Sequence, residues 1–174
     1  MPEVLIIKGF AGTGKTTVLR SVVSTHKKHG KKIILMAPTG RAAKVLSGAT
    51  KRNAFTIHRS LYRPRVGSGG TANFVLANNP HKNTTFVVDE AGLVATRNDS
   101  TLGGNSLLDD LLEFVFTDPS NNLILVGDPA QLPPVGQPQS PALLADYYLG
   151  MGMNATEHTL RHVVRQALDS HILK

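Results

Sequence analysis

Cysteine and tryptophan are both missing from this chain of 174 residues, and aromatic residues make up only 5% of it. The lack of cysteine excludes disulfides, thiol catalysis, iron–sulfur clusters and thiolate zinc sites. No apolar run approaches the roughly 18–20 residues of a membrane-spanning helix. The N-terminus is also unlike a signal peptide, since the only charged residue before Lys8 is Glu3. We therefore expect a globular chain that works in the cytoplasm.

Acidic residues are nearly absent from the first half of the chain. Residues 1–88 hold fifteen Lys and Arg side chains and the single acid Glu3, a net charge of +14. Residues 89–174 hold four Lys and Arg and eleven acids, a net charge of −7. This asymmetry indicates an anionic ligand near the N-terminal half, either nucleotide phosphates or a nucleic-acid backbone. The alternative is two solvated surfaces that differ by chance.

Short, continuously apolar runs alternate with helical patterns along the chain. Such runs are typical of strands buried on both faces of a parallel sheet. They cover residues 4–7, 33–36, 86–88 and 123–126. The alternation predicts an α/β fold with a mainly parallel sheet sandwiched by helices. Because no internal repeat or linker interrupts residues 1–174, we expect a single domain.

The ends of three helices are marked by residue type. The first helix is expected from about Lys15 to a stop at Gly30. Thr39 is suited to cap a second helix, and Ser106 resembles the start of a capping box that opens a third helix over 107–116. Glycine-rich and polar stretches predict two loops, over 64–73 and 97–105.

The segment Gly9–Thr16 matches the phosphate-binding loop (P-loop) pattern G-x-x-x-x-G-K-[ST]. It follows a predicted strand and opens a predicted helix, so that backbone N–H groups and the helix N-terminus face the phosphates. Lys15 would reach the β- and γ-phosphates of ATP, the Thr16 hydroxyl would bind Mg²⁺, and Thr17 would donate to the α-phosphate. The candidate ATP-binding residues are Gly12, Thr13, Gly14, Lys15, Thr16 and Thr17. The alternative is a tight glycine turn followed by a solvated lysine.

An Asp-Glu pair follows the predicted strand over 86–88. The strand would deliver Asp89 to the same sheet edge as the P-loop, where its carboxylate would hold Mg²⁺. Glu90 is then the natural general base for an attacking water. Alone such a pair is commonplace, and its meaning comes from its combination with the P-loop.

A third element, Gly127–Val135, follows another apolar strand, and the two prolines after its glutamine stiffen the loop. Within it, Gln131 can both donate and accept hydrogen bonds, which suits a group that senses a γ-phosphate or positions water. Lys15, Glu90 and Gln131 are therefore the candidate catalytic residues. The alternative for Gln131 is a structural role in a proline-rich turn.

Taken together, five motifs resemble those of superfamily 1 DNA helicases, and within these the RecD/TraA-type branch. The motifs lie at 9–17, 37–43 (Ala-Pro-Thr-Gly-Arg-Ala-Ala), 56–58 (Thr-Ile-His), 87–91 and 127–135. The resemblance implies a RecA-like P-loop NTPase domain, a motor that binds ATP, Mg²⁺ and single-stranded DNA. The pathway it implies is DNA repair, recombination or conjugation.

The same resemblance assigns DNA contacts and one further nucleotide contact. Matching positions make Pro38, Thr39, Gly40, Arg41, Thr56 and His58 the candidate DNA-binding residues. Phosphate contacts would supply affinity, and His58 or Tyr62 could stack on a base. Arg165 matches an arginine that reaches towards the γ-phosphate. The alternatives are a solvated residue for Arg41, a core residue for His58 and a surface residue for Arg165.

Departures from the family pattern lead us to expect half a motor. The chain has no glutamine element before its first strand, and it stops at Lys174, where a second RecA-like domain is expected to begin. Gly92 also stands where this branch usually has serine. The alternative function is a stand-alone ATP-dependent nucleic-acid-binding switch with negligible turnover. A P-loop kinase is disfavoured because no lid-like arginine cluster follows Glu90.

Two histidines, His158 and His162, have the i, i+4 spacing of a helical zinc site. The glutamate of an H-E-x-x-H motif is missing and the chain has no cysteine. We therefore predict no zinc site there.

Overall fold

A computed structural model describes residues 2–66, 72–96, 105–131 and 139–161. Arg165, His162 and most of the predicted 97–105 loop lie outside the described residues. The strands are β1 (Glu3–Gly9), β2 (Lys32–Ala37), β3 (Ala54–Thr56), β4 (Tyr62–Val66), β5 (Ala72–Leu76), β6 (Thr84–Val88), β7 (Asn122–Gly127) and β8 (Asn154–Leu160). The helices are α1 (Lys15–Lys28), α2 (Gly40–Thr50), α3 (Ile57–Leu61), α4 (Leu107–Phe116) and α5 (Ala145–Gly150), with 3₁₀ turns at Ala91–Leu93 and Pro141–Leu143.

Six strands form one sheet in the order β3-β2-β6-β7-β1-β8, and every neighbouring pair is parallel. The predicted α/β fold with a parallel sheet is therefore confirmed. Because all six strands run the same way, their carboxyl ends share one edge of the sheet, here called the upper edge. Their amino ends share the opposite, lower edge. Strands β4 and β5 form a separate antiparallel hairpin.

Alternating side chains of the buried strands face two different helical layers, as the strand period of two requires. On β6, Phe86 and Val88 pack in a cluster with α3, α4 and Tyr148, whereas Val87 faces α1 and α2 on the other side. The core is therefore a helix–sheet–helix sandwich. Within the described ranges, no helix has the length and apolar character needed to cross a bilayer.

The predicted start of each of the three helices and the predicted end of the first helix are confirmed. The helix α1 ends near Gly30, whose φ of 64° is the left-handed conformation that stops a helix. The Thr39 side chain accepts a hydrogen bond from Ala42 N at 3.1 Å and caps α2. The Ser106 hydroxyl accepts from Asp109 N at 3.1 Å and donates to the Asp109 carboxylate at 2.6 Å, which caps α4.

The predicted loop over 64–73 is wrong at both of its ends. Pro64 pairs with Phe74 and Arg65 pairs with Asn73 across the β4–β5 hairpin, while 67–71 lie outside the described residues. The proline is tolerated because a two-stranded ribbon consists only of edge strands, where a missing N–H donor can face solvent. The glycine-rich stretch between the strands hid the pairing from sequence analysis.

Strands β3 and β8 were not predicted, because both are edge strands with few apolar residues. The β8 segment is largely exposed, and it forms a strand because it pairs with β1 along its whole length. His158 lies on β8, so the helical geometry considered for a histidine pair does not exist at this position.

Candidate active site at the upper edge of the sheet

The P-loop connects β1 to α1 in a conformation that depends on glycine. Gly12 and Gly14 have φ values of 82° and 87°, which side-chain-bearing residues rarely adopt. The buried Thr13 hydroxyl donates to Phe10 O at 2.8 Å and fixes the turn from within. Residues 10–14 therefore form a tight loop directly over the end of a central strand.

Lys15 lies at the start of α1 with its ammonium group turned back over the loop. Its Nζ donates to Gly9 O at 2.5 Å and to Phe10 O at 3.0 Å. It also faces the buried carboxylate of Asp128, with 3.7 Å between Nζ and Oδ2. The lysine is thus held at the mouth of the loop by groups that a phosphate could replace.

Thr16 and Thr17 are exposed in the first turn of α1, which contains no acidic residue. Gly14 is the N-cap and provides no side-chain hydrogen bond, so the helix N-terminus keeps free N–H groups. The partial positive charge of the helix N-terminus adds to that of Lys15. This arrangement suits an anion such as a polyphosphate.

Asp89 and Glu90 follow β6 at the same edge, both half-buried. Asp89 N donates to Met36 O at 3.0 Å, and the Asp89 carboxylate accepts from Glu90 N at 3.0 Å. Burial raises the pKa of Asp89 above its ordinary value; the Glu90 N–H lowers it, the Glu90 charge raises it and Lys15 lowers it. Such a partly desolvated carboxylate, within the influence of Lys15 and at the same sheet edge as the exposed Thr16, fits Mg²⁺.

Asp128 is a site residue that sequence analysis missed. It is buried, faces Lys15, and accepts a hydrogen bond from Ala130 N at 2.9 Å on its other carboxylate oxygen. Its backbone oxygen accepts from Gln131 N at 3.2 Å, so the same residue shapes the turn that carries Gln131. The signal was present in the sequence, because Asp128 follows a buried strand just as Asp89 does.

Gln131 and Gly92 both line a cavity of about 240 Å³ beside Asp128. Gln131 is exposed, whereas Gly92 is buried under the 3₁₀ turn Pro141–Leu143. A Cβ at position 92 would lie 3.4 Å from Leu143 and 3.6 Å from Asp128 O, which is ordinary contact. The Cβ of the serine that the helicase resemblance puts at this position would therefore be accommodated here.

The two predicted DNA-contacting segments follow neighbouring strands. Ala37 and Thr56 are paired at the ends of β2 and β3, which places Pro38–Arg41 next to Thr56–His58. Pro38 is half-buried, while Thr39, Gly40 and Arg41 are exposed in or before the first turn of α2. The Thr56 side chain accepts from Arg59 N at 3.2 Å and caps α3. His58 is exposed, which rules out the alternative that it is a core residue.

Beside His58 lies a groove of about 460 Å³ between α3 and the β4–β5 hairpin, here called the aromatic groove. Its lining residues are His58, Arg59, Tyr62, Arg63 and Phe74. Phe74 is 54% exposed although it belongs to a strand. The sequence gives no sign of this ring's role, because Phe74 adjoins the glycine-rich stretch that predicts a loop.

The aromatic groove is tied to the core by Tyr62, whose hydroxyl donates to the buried carboxylate of Asp110 at 2.6 Å. Arg63 Nη1 donates to Arg59 O at 2.9 Å and to Tyr62 O at 2.8 Å, and the Arg59 guanidinium lies 5.0 Å from the Phe55 ring. Carbonyl groups and the Phe55 ring position these two guanidinium groups. Because these partners carry no charge, both arginines keep their positive charge.

Comparison with known proteins gives a family and several relatives. A family model described as an AAA domain matches residues 2–173. The chain is 32% identical over 175 residues to the ATP-dependent RecD2 DNA helicase of Deinococcus radiodurans, a match that covers 99% of this chain and 21% of that protein. It is 32% identical over 142 residues to the uncharacterized protein MJ1519 of Methanocaldococcus jannaschii, covering 75% of this chain and 11% of that protein.

Among solved structures, the chain is similar to the crystal structure of Pif1 helicase from Candida albicans. The TM-score is 0.56 at 23% sequence identity, and the match covers 97% of this chain and 38% of that one. This likeness concerns the fold. The chain thus spans about a fifth of the length of the RecD2 helicase and less than half of the Pif1 helicase structure.

Proposed function

The chain belongs to the family of AAA domains, and from that premise we propose that it is the ATP-binding and ATP-hydrolysing motor domain of a DNA helicase acting on single-stranded DNA. The resemblance of its motifs to superfamily 1 helicases is confirmed by the family match, the RecD2 relative and the fold. ATP and Mg²⁺ are the cofactors we assign. We place the protein in the cytoplasm, in DNA repair, recombination or conjugation.

One observation carries the proposal: three separate strands bring the P-loop, Asp89 and Asp128 to the same edge of the sheet. Lys15 would exchange its neutral carbonyl acceptors for the β- and γ-phosphates, which are stronger acceptors because they are charged, and would leave its 3.7 Å ion pair with Asp128. Thr16 and Asp89 would hold Mg²⁺, which when bound neutralises charge on the phosphates. The free N–H groups of α1 would complete the phosphate site.

Glu90 and Gln131 are proposed to act on the attacking water. Glu90 lies directly after the proposed metal ligand Asp89 and is half-buried, which supports its assignment as the group that would accept a proton from the attacking water. Gln131 is exposed at the mouth of the cavity beside Asp128, where its amide could contact the γ-phosphate or orient water. Arg165, which lies outside the described residues, is retained as a further candidate from the family pattern.

Single-stranded DNA is proposed to run over the β3–β2 side of the upper edge. Arg41 there occupies the first turn of α2, a position that the helix dipole makes unfavourable for a cation. A phosphate would relieve that conflict, since the helix N-terminus and Arg41 both attract an anion. The aromatic groove next to it combines cations with an exposed ring, the pair of features that single-strand sites use.

The 174 residues are proposed to form one RecA-like motor domain of a two-domain machine. An arginine finger supplied from a facing domain is worth roughly 10³–10⁵ in rate. We therefore expect the isolated chain to bind ATP, to hydrolyse it slowly and to unwind no duplex.

The test is steady-state phosphate release from ATP·Mg²⁺, with and without saturating oligo(dT), for the chain alone and for a version extended at its C-terminus. We expect slow release by the chain, faster release by the extended version, and a loss of about 10²–10⁴-fold on Glu90→Gln. Rapid turnover by the chain alone would contradict the one-domain proposal. No turnover by either version, with ATP binding intact, would favour the nucleotide-dependent switch.

A further inference from the structure

Six cations cluster around the ends of α1 and α2 and the start of β2, on the opposite side of the sheet from the P-loop. The helices α1 and α2 both begin at the upper edge and run back beside β2, and their ends carry most of these cations. The group, here called the lower basic patch, consists of Lys27, Lys28, Lys31, Lys32, Lys51 and Arg52, all exposed. Because α1 has 14 residues, about 20 Å separates this patch from the phosphate site.

The lower basic patch has no acidic partner in the part of the chain that the structure describes. The ion pairs among the described residues are Lys8–Glu157, Lys15–Asp128 and Lys82–Asp118. They include none of the six cations. The N-terminal acid Glu3 lies on β1, which β6 and β7 separate from β2. Asp118 also lies at the lower edge, but it is paired with Lys82 at 3.6 Å, so no described acid lies within ion-pair distance of the six cations.

Helix dipoles explain only part of this clustering. Cations at a helix C-terminus are stabilised by the dipole, which places about half a negative charge at that end of each helix. Two helix ends therefore offset roughly one of the six charges. Lys31 and Lys32 lie beyond α1, where the effect has fallen off, and Lys32 belongs to β2.

We propose that the lower basic patch binds the phosphate backbone of duplex DNA, as a second nucleic-acid surface separate from the upper edge. Residues 27–32 and 51–53 include no Phe, Tyr or Trp, and their one ring, the exposed imidazole of His29, is hydrogen-bonded to Thr25 O at 2.9 Å, which distinguishes the patch from the aromatic groove with its exposed Phe74. It also has no apolar anchor for a protein partner or a membrane, and lysine is depleted from protein interfaces. A row of lysines does suit the sequence-independent contacts made to phosphates.

The experiment measures binding of a short, blunt-ended, fluorescein-labelled DNA duplex by anisotropy at salt concentrations from about 50 to 200 mM. The test variant is Lys31→Gln with Lys32→Gln, which leaves both helices intact. The control is Arg20→Gln with Lys44→Gln, which removes the same charge from exposed positions within α1 and α2. ATP binding and thermal unfolding are measured for both variants.

We expect the patch variant to bind duplex more weakly, with a salt slope reduced by about 1.8, or roughly 0.9 for each lost phosphate contact. Its ATP binding and its affinity for oligo(dT) should stay at the wild-type level. Equal losses in the patch and control variants would overturn the proposal, because net charge alone would then explain binding. Displacement of the duplex by polyglutamate at equal charge would also overturn it, in favour of an acidic protein partner.

Discussion

The upper and lower edges of this sheet are both basic, yet they present their charge in different ways. At the upper edge, Lys15 and Arg41 lie in the first turns of α1 and α2, where the helix dipoles are positive. At the lower edge, the lower basic patch surrounds the C-terminal ends of the same two helices. The helix dipoles therefore destabilise the cations of the upper edge and stabilise those of the lower edge.

This difference indicates which cations require a ligand to explain their position. A cation at a helix N-terminus costs about 0.3–1 kcal/mol, so an anionic ligand is the simplest reason for keeping it there. A cation near a helix C-terminus needs no ligand unless, as in the lower basic patch, the charges exceed what the dipoles offset. The aromatic groove adds a further contrast, because it combines cations with the exposed ring of Phe74, whereas the six residues of the lower basic patch include no aromatic side chain.

The largest expected effect is on nucleotide binding and is confined to the upper edge. Lys15→Ala should weaken ATP·Mg²⁺ binding by about 100-fold, since charge-assisted hydrogen bonds contribute roughly 1.5–3 kcal/mol each. Lys32→Ala at the lower edge is the matched control and should bind ATP as the wild type does. Titration calorimetry measures both affinities, and thermal unfolding checks the fold. Unchanged affinity in Lys15→Ala would remove the P-loop from the site.

A smaller effect is expected at the aromatic groove. Phe74→Ala should lower the affinity for oligo(dT) by about tenfold, because stacking on one base contributes roughly 1–3 kcal/mol. Val75→Ala is the control, since it changes the next residue of β5, which does not line the groove. Anisotropy titrations of the two variants compare the faces of the hairpin directly. Equal affinities would show that the groove holds no base.

The smallest expected effects come from Arg41, whose removal should weaken DNA binding and at the same time stabilise the fold. Arg41→Ala should reduce the salt slope of oligo(dT) binding by about 0.7, the value for one phosphate contact on a single strand. The same change should raise the free energy of unfolding by about 0.3–1 kcal/mol, because it removes a cation from a helix N-terminus. Denaturant titration measures this gain. A loss of both stability and DNA affinity would point to a structural role for Arg41 instead.

Much of the fold could be predicted because its central strands are buried on both faces. The strands β1, β2, β6 and β7 are continuously apolar, and this pattern located them. The edge strands β3 and β8 and the β4–β5 hairpin have no such signal. These segments are strands because they pair with neighbouring strands, as β8 does with β1, so their local sequence did not reveal them.

The sequence by itself determined the features that depend on residues close together in the chain. The P-loop conformation needs glycines at fixed spacing, and the caps Thr39 and Ser106 bond to N–H groups three residues away.

Tertiary structure alone decided which distant side chains meet. Asp128 faces Lys15 because β7 pairs with β1, and Phe74 joins His58 because a hairpin folds over α3. The lower basic patch likewise exists because two helices end at the same edge of a parallel sheet. Such contacts depend on strand order, which long-range packing sets and local residue patterns do not encode.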